Sequence, residues 1–392
     1  MAPSPRIASI DVFRALTMFL MIFVNDLWTL REVPTWLEHS AAQDDAMGLA
    51  DVVFPAFLFI VGLSIPFAIA ARSAQGEGTF TLLRHIGART WALLLMGLFI
   101  VNLESTNGAG MVLSKYLWQL LMVLGFFLIW NVYPAGKKYL ALKVLGYLLL
   151  LGLAVVYRGG DASQTTWMQT HWWGILGLIG WSYLLCALVY VLFGDQLVPI
   201  LLAWLFFLGF NLADFAGTLS FLDGVKKYVW IVGSGSMPAF AMAGVVASVI
   251  YRRYAGVLTP YQFLSILLGL GALCLLVGFG LRPFWGISKI RATPAWVGIC
   301  SGVSFGAYAL LFWVVDVQKR QAWAKVLRPA GVATLTCYLV PYIWYAVITL
   351  VGLALPMYLR TGLVGILKSL IFSLVMIVLT GGLLKVGVRL KV

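Results

Sequence analysis

The chain has 392 residues, 62% of them hydrophobic and only 10% charged, with 40 Gly, 16 Trp and a formal net charge of +13. Soluble domains carry roughly a quarter charged residues, and a mean hydropathy of +0.97 over successive apolar runs of about 20 residues suits hydrocarbon as the solvent. An ordinary soluble domain is excluded, and so is a nucleic-acid partner, because the basic residues fall in short clusters between apolar runs and form no polyanion-binding face.

Taken in chain order with a window of about 19 residues, apolar segments lie near 12–30, 48–71, 86–101, 115–134, 138–156, 172–193, 197–213, 232–251, 262–281, 294–315, 331–351 and 363–385. They predict an all-α polytopic transmembrane helix bundle of about 11–12 helices, a single integral membrane domain over residues 1–392. The segments at 86–101 and 197–213 are short for about 30 Å of hydrocarbon at 1.5 Å per residue, so the count is expected to fail there first.

With the N-terminus cytoplasmic, Arg6, Arg14, Arg72, Arg84, Arg89, Lys137, Lys138, Arg252, Arg253, Lys319, Arg320, Arg389 and Lys391 all fall inside, and most acids fall outside. The orientation rule therefore predicts both termini cytoplasmic. Met1 to Ser9 lacks the apolar core and cleavage site of a secretory signal, and the loops are short, so a bacterial inner membrane is expected.

Trp28, Trp36, Tyr116, Trp118, Trp172, Trp173, Tyr228 and Trp230 sit at run ends, as interfacial anchors do. Cys186, Cys274, Cys300 and Cys337 stand singly inside apolar runs. They read as small hydrophobes without metal-site spacing, and no metal is expected.

Only three histidines occur. His85 reads as a basic loop residue between Arg84 and Arg89, and His171 as an interfacial residue at a helix start. His39 differs, because its loop also carries Glu38, Asp44 and Asp45, and a carboxylate beside an imidazole can hold its useful tautomer. A solvated acidic rim is the alternative reading of those acids. The flanking runs place Asp11, Arg14, Asn25, Asp26 and Asp51 within apolar sequence, where ionisable groups are costly unless they pair or face an interior path. Asp11 and Arg14, three apart on one helix, are placed to pair.

The run from Ser9 to Asn25 (SIDVFRALTMFLMIFVN), the loop His39, and the run from Gly48 to Pro66 (GLADVVFPAFLFIVGLSIP) together resemble the heparan-α-glucosaminide N-acetyltransferase family and its bacterial relatives. The strong resemblance covers about residues 7–70, with weaker similarity later, as at Thr336–Tyr342 (TCYLVPY). It implies a fold of the transmembrane acyltransferase type. It also implies acetyl transfer from cytosolic acetyl-CoA, as co-substrate, to the amine of a glucosamine-type sugar on the outer face. The family's catalytic loop histidine falls on His39 and its asparagine before that loop on Asn25. Between His39 and Gly48 the chain departs from the lysosomal pattern, which bears on the acceptor more than on the reaction.

Independently of the resemblance, a histidine could deprotonate an attacking amine while an amide such as Asn25 donates to the developing oxyanion. Direct transfer needs His39 only as a base, whereas a ping-pong route would make it an acetyl carrier. Glu38, Asp44, Asp45, Asp26 and Asp51 are the candidate acceptor-binding residues. The phosphates of CoA call for cations, for which Arg14, Arg72, Arg84 and Arg89 are the candidates. Arg14 and Asn25 are 11 residues apart, about 16 Å along a helix, within reach of a pantetheine arm. An O-acetyltransferase acting on an envelope glycan or lipid-linked sugar and a secondary transporter of small sugars are the rival readings. The partners expected are an amino sugar or glycan, acetyl-CoA and membrane lipid, and a homodimer is compatible with the chain.

Overall fold

The computed structural model describes residues 7–108, 110–134, 136–160, 164–171, 174–226 and 232–392. Arg6, Trp172, Trp173, Tyr228 and Trp230 lie outside the described residues. The fold is an all-α polytopic bundle. Its helices are α1 (Ala8–Asp26), α2 (Leu49–Ala74), α3 (Thr79–Asn102), α4 (Lys115–Trp130), α5 (Lys137–Val156), α6 (Ile175–Phe193), α7 (Leu197–Phe215), the short α8 (Asp223–Lys226), α9 (Ser236–Arg253), α10 (Pro260–Trp285), α11 (Pro294–Leu311), the short α12 (Arg328–Val332), α13 (Thr334–Val351) and α14 (Gly362–Lys385). A two-residue hairpin, Gly159–Gly160 against Thr165–Thr166, is the one sheet among the described residues.

Among the described residues, ten of these helices are long and apolar enough to cross a membrane. The two segments expected to fail do not: α3 and α7 run for 24 and 19 residues. The short one is α4, with 16 residues. α9 is also absent from the ten, for a different reason. It is rich in Ala, Gly and Ser and is buried almost throughout from Ser236 to Ile250, so its surroundings are protein and not lipid. Those small residues let it touch α2: a Cβ on Gly62 would lie 1.7 Å from the Ala241 carbonyl oxygen, and one on Gly244 1.9 Å from that of Phe59.

The outer helices show the opposite pattern. α5 buries only Gly146, Leu150 and Leu153, while Leu140, Leu148, Leu151 and Val155 are exposed. A soluble monomer rarely presents so much contiguous apolar surface, and a lipid-facing helix does.

Helix ends are set locally. Ser114, Thr259 and Thr293 accept from backbone N–H groups of the first turns of α4, α10 and α11, satisfying donors that have no partner within the helix. α1 has no cap of its own and borrows one. Asp316, in the π turn that extends α11, accepts from the Ala8 N–H at 3.0 Å and the Ser9 N–H at 3.1 Å. Trp118 is not the interfacial anchor expected: it is fully buried, stacks on Phe99 and donates to the Leu153 carbonyl at 3.0 Å. Trp28 and Trp36 are exposed and Tyr116 is half-buried. The four cysteines are free and buried.

Candidate active site at the end of the first helix

The chain leaves α1 through one 3₁₀ turn, Leu27–Thr29, and crosses a loop before entering α2. Backbone bonds hold both ends of this loop. The Arg31 N–H donates to the Arg360 carbonyl at 2.8 Å, and the Leu49 N–H to that of Trp36 at 2.7 Å. Gly48 is required by close approach, since a Cβ there would lie 2.0 Å from the Glu38 carbonyl oxygen.

Asp51, in the first turn of α2 and 1% exposed, organises the His39 end of this loop. Its Oδ2 accepts from the Gly48 and Ser40 N–H groups, each at 3.0 Å, and its Oδ1 lies 2.6 Å from His39 Nδ1. A carboxylate is stabilised at a helix N-terminus. By accepting from Nδ1–H it selects the tautomer that leaves the Nε2 lone pair available to take a proton.

A second loop, residues 286–293, packs onto the first. Asp45 accepts from the Ile287 N–H at 2.6 Å and from Arg282 Nε at 2.9 Å, and Ser288 donates to the Ala42 carbonyl at 3.1 Å. The Ile287 N–H and the Arg282 guanidinium hold the Asp45 carboxyl below the usual carboxylate range. Asn211, buried on α7, donates to the Ala292 carbonyl at 3.1 Å and steadies the far side of this loop.

The two loops bring Lys289 Nζ to 3.1 Å from His39 Nδ1, 3.4 Å from His39 Nε2 and 3.9 Å from Asp51 Oδ1. With Nδ1–H turned to Asp51, the ring atom able to accept from the ammonium is Nε2. Burial pushes the Lys289 pKa down, and the Asp51 charge opposes that shift.

A cavity of about 690 Å³ opens here, and Asn25, His39, Phe54, Asp214, Lys289 and Arg291 are among its walls. That volume is in the range of small-molecule sites. Asn25 and His39 thus share one chamber. A smaller cavity of about 190 Å³ abuts it toward the other end of the bundle. Met21 and Ile175 belong to both walls, and Arg89, Arg389 and Lys391 line the smaller one.

Of the arginines expected to face a nucleotide, Arg89 lines this second cavity and the other three line neither. Arg14 is engaged by Asp11 at 3.1 Å and Ser64 at 2.6 Å, Arg72 by Glu77 at 3.0 Å, and Arg84 is exposed on α3. None of the five expected acids lines the chamber. Asp51 supports His39, Asp45 clips the two loops together, and Asp44 closes a local turn by accepting from the Ala41 N–H at 3.2 Å. Glu38 is exposed on the loop.

Asp26 is buried and accepts from Lys368 Nζ at 2.6 Å, from Ser369 Oγ at 2.5 Å and from the Tyr345 hydroxyl. It cross-ties α1, α13 and α14. His85 is not in a loop but on α3, with Nε2 3.6 Å from a Glu77 carboxylate oxygen. Sequence reasoning missed Lys289, Arg291, Asp214, Ser234 and Ser236 as chamber residues. The only local trace was a basic pair, Lys289 and Arg291, in a short connection that read as an ordinary loop.

Residues 6–107 match the family model described as heparan-alpha-glucosaminide N-acetyltransferase, catalytic. The chain is 34% identical over 102 residues to the heparan-alpha-glucosaminide N-acetyltransferase of Homo sapiens, and 34% identical over 101 residues to that of Mus musculus. Each match covers 25% of this chain and 14% of the relative, so the chain spans about a seventh of the length of the curated relatives it matches. The matched stretch holds Asn25, His39, Asp51 and Arg89; Lys289, Arg389 and Lys391 lie beyond it.

Proposed function

We propose, from the match of residues 6–107 to the heparan-α-glucosaminide N-acetyltransferase family, that this chain is a transmembrane acetyltransferase. In this reading it moves an acetyl group from acetyl-CoA to the amine of a glucosamine-type sugar, working as one integral membrane domain of residues 1–392. Family and bundle support the class of enzyme. Donor, acceptor and sidedness are the finer part of the proposal: acetyl-CoA enters from the cytosolic, basic end and the acceptor from the His39 end, with both termini cytoplasmic in a bacterial inner membrane.

The observation that carries it is the His39–Asp51 pair, 2.6 Å apart, on a chamber whose wall includes Asn25. An amine attacks a thioester only when unprotonated. His39 Nε2 takes the amine proton as the N–C bond forms, and the Asn25 amide donates to the oxyanion. Collapse breaks the C–S bond, and the proton held on His39 passes to the departing thiolate. Asp51 keeps the ring oriented throughout, and its charge stabilises the imidazolium formed midway. The Lys289 ammonium yields its place at Nε2 to the acceptor and stays beside the developing negative charge. Direct transfer is favoured because Asn25 and His39 face the same space.

The test is CoA release by the purified chain in detergent, with acetyl-CoA and a panel of amino sugars and hydroxyl acceptors, and mass analysis of the product. Amine-dependent release that falls about 10²–10⁴-fold in His39→Ala, the usual contribution of a general base, is the expected result. Turnover only with a hydroxyl acceptor would move the assignment to O-acetylation. A labelled acetyl-enzyme formed without acceptor would replace direct transfer by the ping-pong route.

A further inference from the structure

The residues after α14 are strapped to the bundle. The Val132 N–H donates to the Arg389 carbonyl at 2.9 Å, the Lys391 N–H to that of Trp130 at 3.0 Å, the Arg389 N–H to Asn131 Oδ1 at 2.7 Å and the Leu390 N–H to Thr336 Oγ1 at 3.0 Å. Residues 389–391 therefore lie between the end of α4 and the start of α13. Leu390 is buried, and all four residues from Arg389 to Val392, the two cations among them, line the smaller cavity.

Arg89 lines the same cavity from α3. Its guanidinium rests on the Tyr183 ring, 4.5 Å from the centroid, and its Nε is buried without a hydrogen-bond partner among the described residues. No Asp or Glu side chain lines this space among the described residues. Cations gathered at the rim of a low-dielectric space repel one another unless an anion joins them. At about 190 Å³ the cavity is below the size that encloses a whole small molecule. It shares Met21 and Ile175 with the His39 chamber, which is the layout of a throat between a charged mouth and a reaction chamber.

We propose that Arg89, Arg389 and Lys391 hold the phosphate groups of the acyl donor, with the 389–391 strap as one wall of the entrance and the donor's extended arm passing Met21 and Ile175 to reach His39. The inference rests on the reading of the donor as a CoA thioester. Arg389 also anchors the strap, through Nη2 to the Val332 carbonyl at 3.1 Å. Lys391 holds it through its main chain, so its ammonium can be removed without undoing the strap.

The test is equilibrium binding of acetyl-CoA and CoA to the full chain in detergent by calorimetry, beside turnover of acetyl-CoA and of S-acetylpantetheine, which lacks the nucleotide and its phosphates. Lys391→Ala is expected to weaken acetyl-CoA binding about tenfold, the scale of one charge-assisted hydrogen bond. Lys391→Arg should retain binding, and turnover of S-acetylpantetheine should be unchanged in both. Acetyl-CoA affinity within twofold of wild type in Lys391→Ala overturns the inference and leaves the donor reading standing. An equal loss with S-acetylpantetheine also overturns it, by showing a structural effect. A wild-type chain that binds neither acetyl-CoA nor CoA overturns the donor reading and the inference with it.

Discussion

His39 and Lys289 are 250 positions apart in the chain, yet the Lys289 ammonium lies 3.1 Å from His39 Nδ1. Two loops make the contact, clipped together by Asp45 on Ile287 and Arg282 and by Ser288 on Ala42. The candidate base is thus held by Asp51 from one region of the chain and met by the Lys289 ammonium from another.

Asp51→Asn should separate orientation from bulk. An amide can donate as well as accept, so it cannot reproduce three acceptor bonds to His39, Ser40 and Gly48. Acetyl transfer should fall about 10–100-fold, as when the orienting partner of a functional histidine is lost. Thermal unfolding should show a loss of about 1–3 kcal/mol from groups left unsatisfied. A transfer rate within twofold of wild type would remove Asp51 from the chemistry.

Lys289→Met keeps the stem and deletes the charge. Transfer should fall by at least about tenfold if the ammonium stabilises negative charge that develops only in the transition state. The pH sign is distinctive. Folding lowers the Lys289 pKa, so the unfolded chain binds the proton more firmly, and stability should rise with pH from that lowered value toward 10.5. Unfolding midpoints measured from neutral pH to about 10.5 should rise more in wild type than in Lys289→Met; parallel profiles would contradict this.

The Asp45 clip gives the same sign of pH dependence, in the acid range instead of the alkaline one. Its folded pKa lies below the unfolded value near 3.8 because it accepts from the Ile287 N–H and from Arg282. Its contribution is therefore fully present above that unfolded value and disappears as pH falls through the folded one. Asp45→Asn should be less stable than wild type at neutral pH, and the difference in unfolding midpoint should close in strong acid. A gap that stays constant through the acid range would show that the clip acts through shape alone.

Buried Asp26 and half-buried Lys368 pair at 2.6 Å. Lys368→Met leaves the carboxylate with only Ser369 and Tyr345, and Asp26→Asn leaves the ammonium with Thr29. Each single change should cost about 3–5 kcal/mol, the usual penalty for stranding one buried charge. The double variant should lose much less than the sum, since neither charge is stranded. Additive losses in thermal unfolding would show the two groups act independently.

Membrane residence, the helical class and the position of nearly every long helix come from apolar runs read locally, because hydrocarbon forces each backbone to satisfy itself within its own segment. His39 and Asn25 were legible for the same reason of locality: both lie in one short stretch that keeps polar residues within apolar sequence. The Asp11–Arg14 pair was legible from its spacing along one helix, but only packing showed that Ser64 also engages Arg14, that Glu77 engages Arg72 and that Arg89 alone of the four lines a cavity. Packing also turned Asp26 into a cross-tie and brought Lys289, Arg389 and Lys391 to cavities whose walls α1, α2 and α6 share. Such contacts join residues hundreds of positions apart, and neither hydropathy nor periodicity, which report on neighbours along one helix, carries information about them.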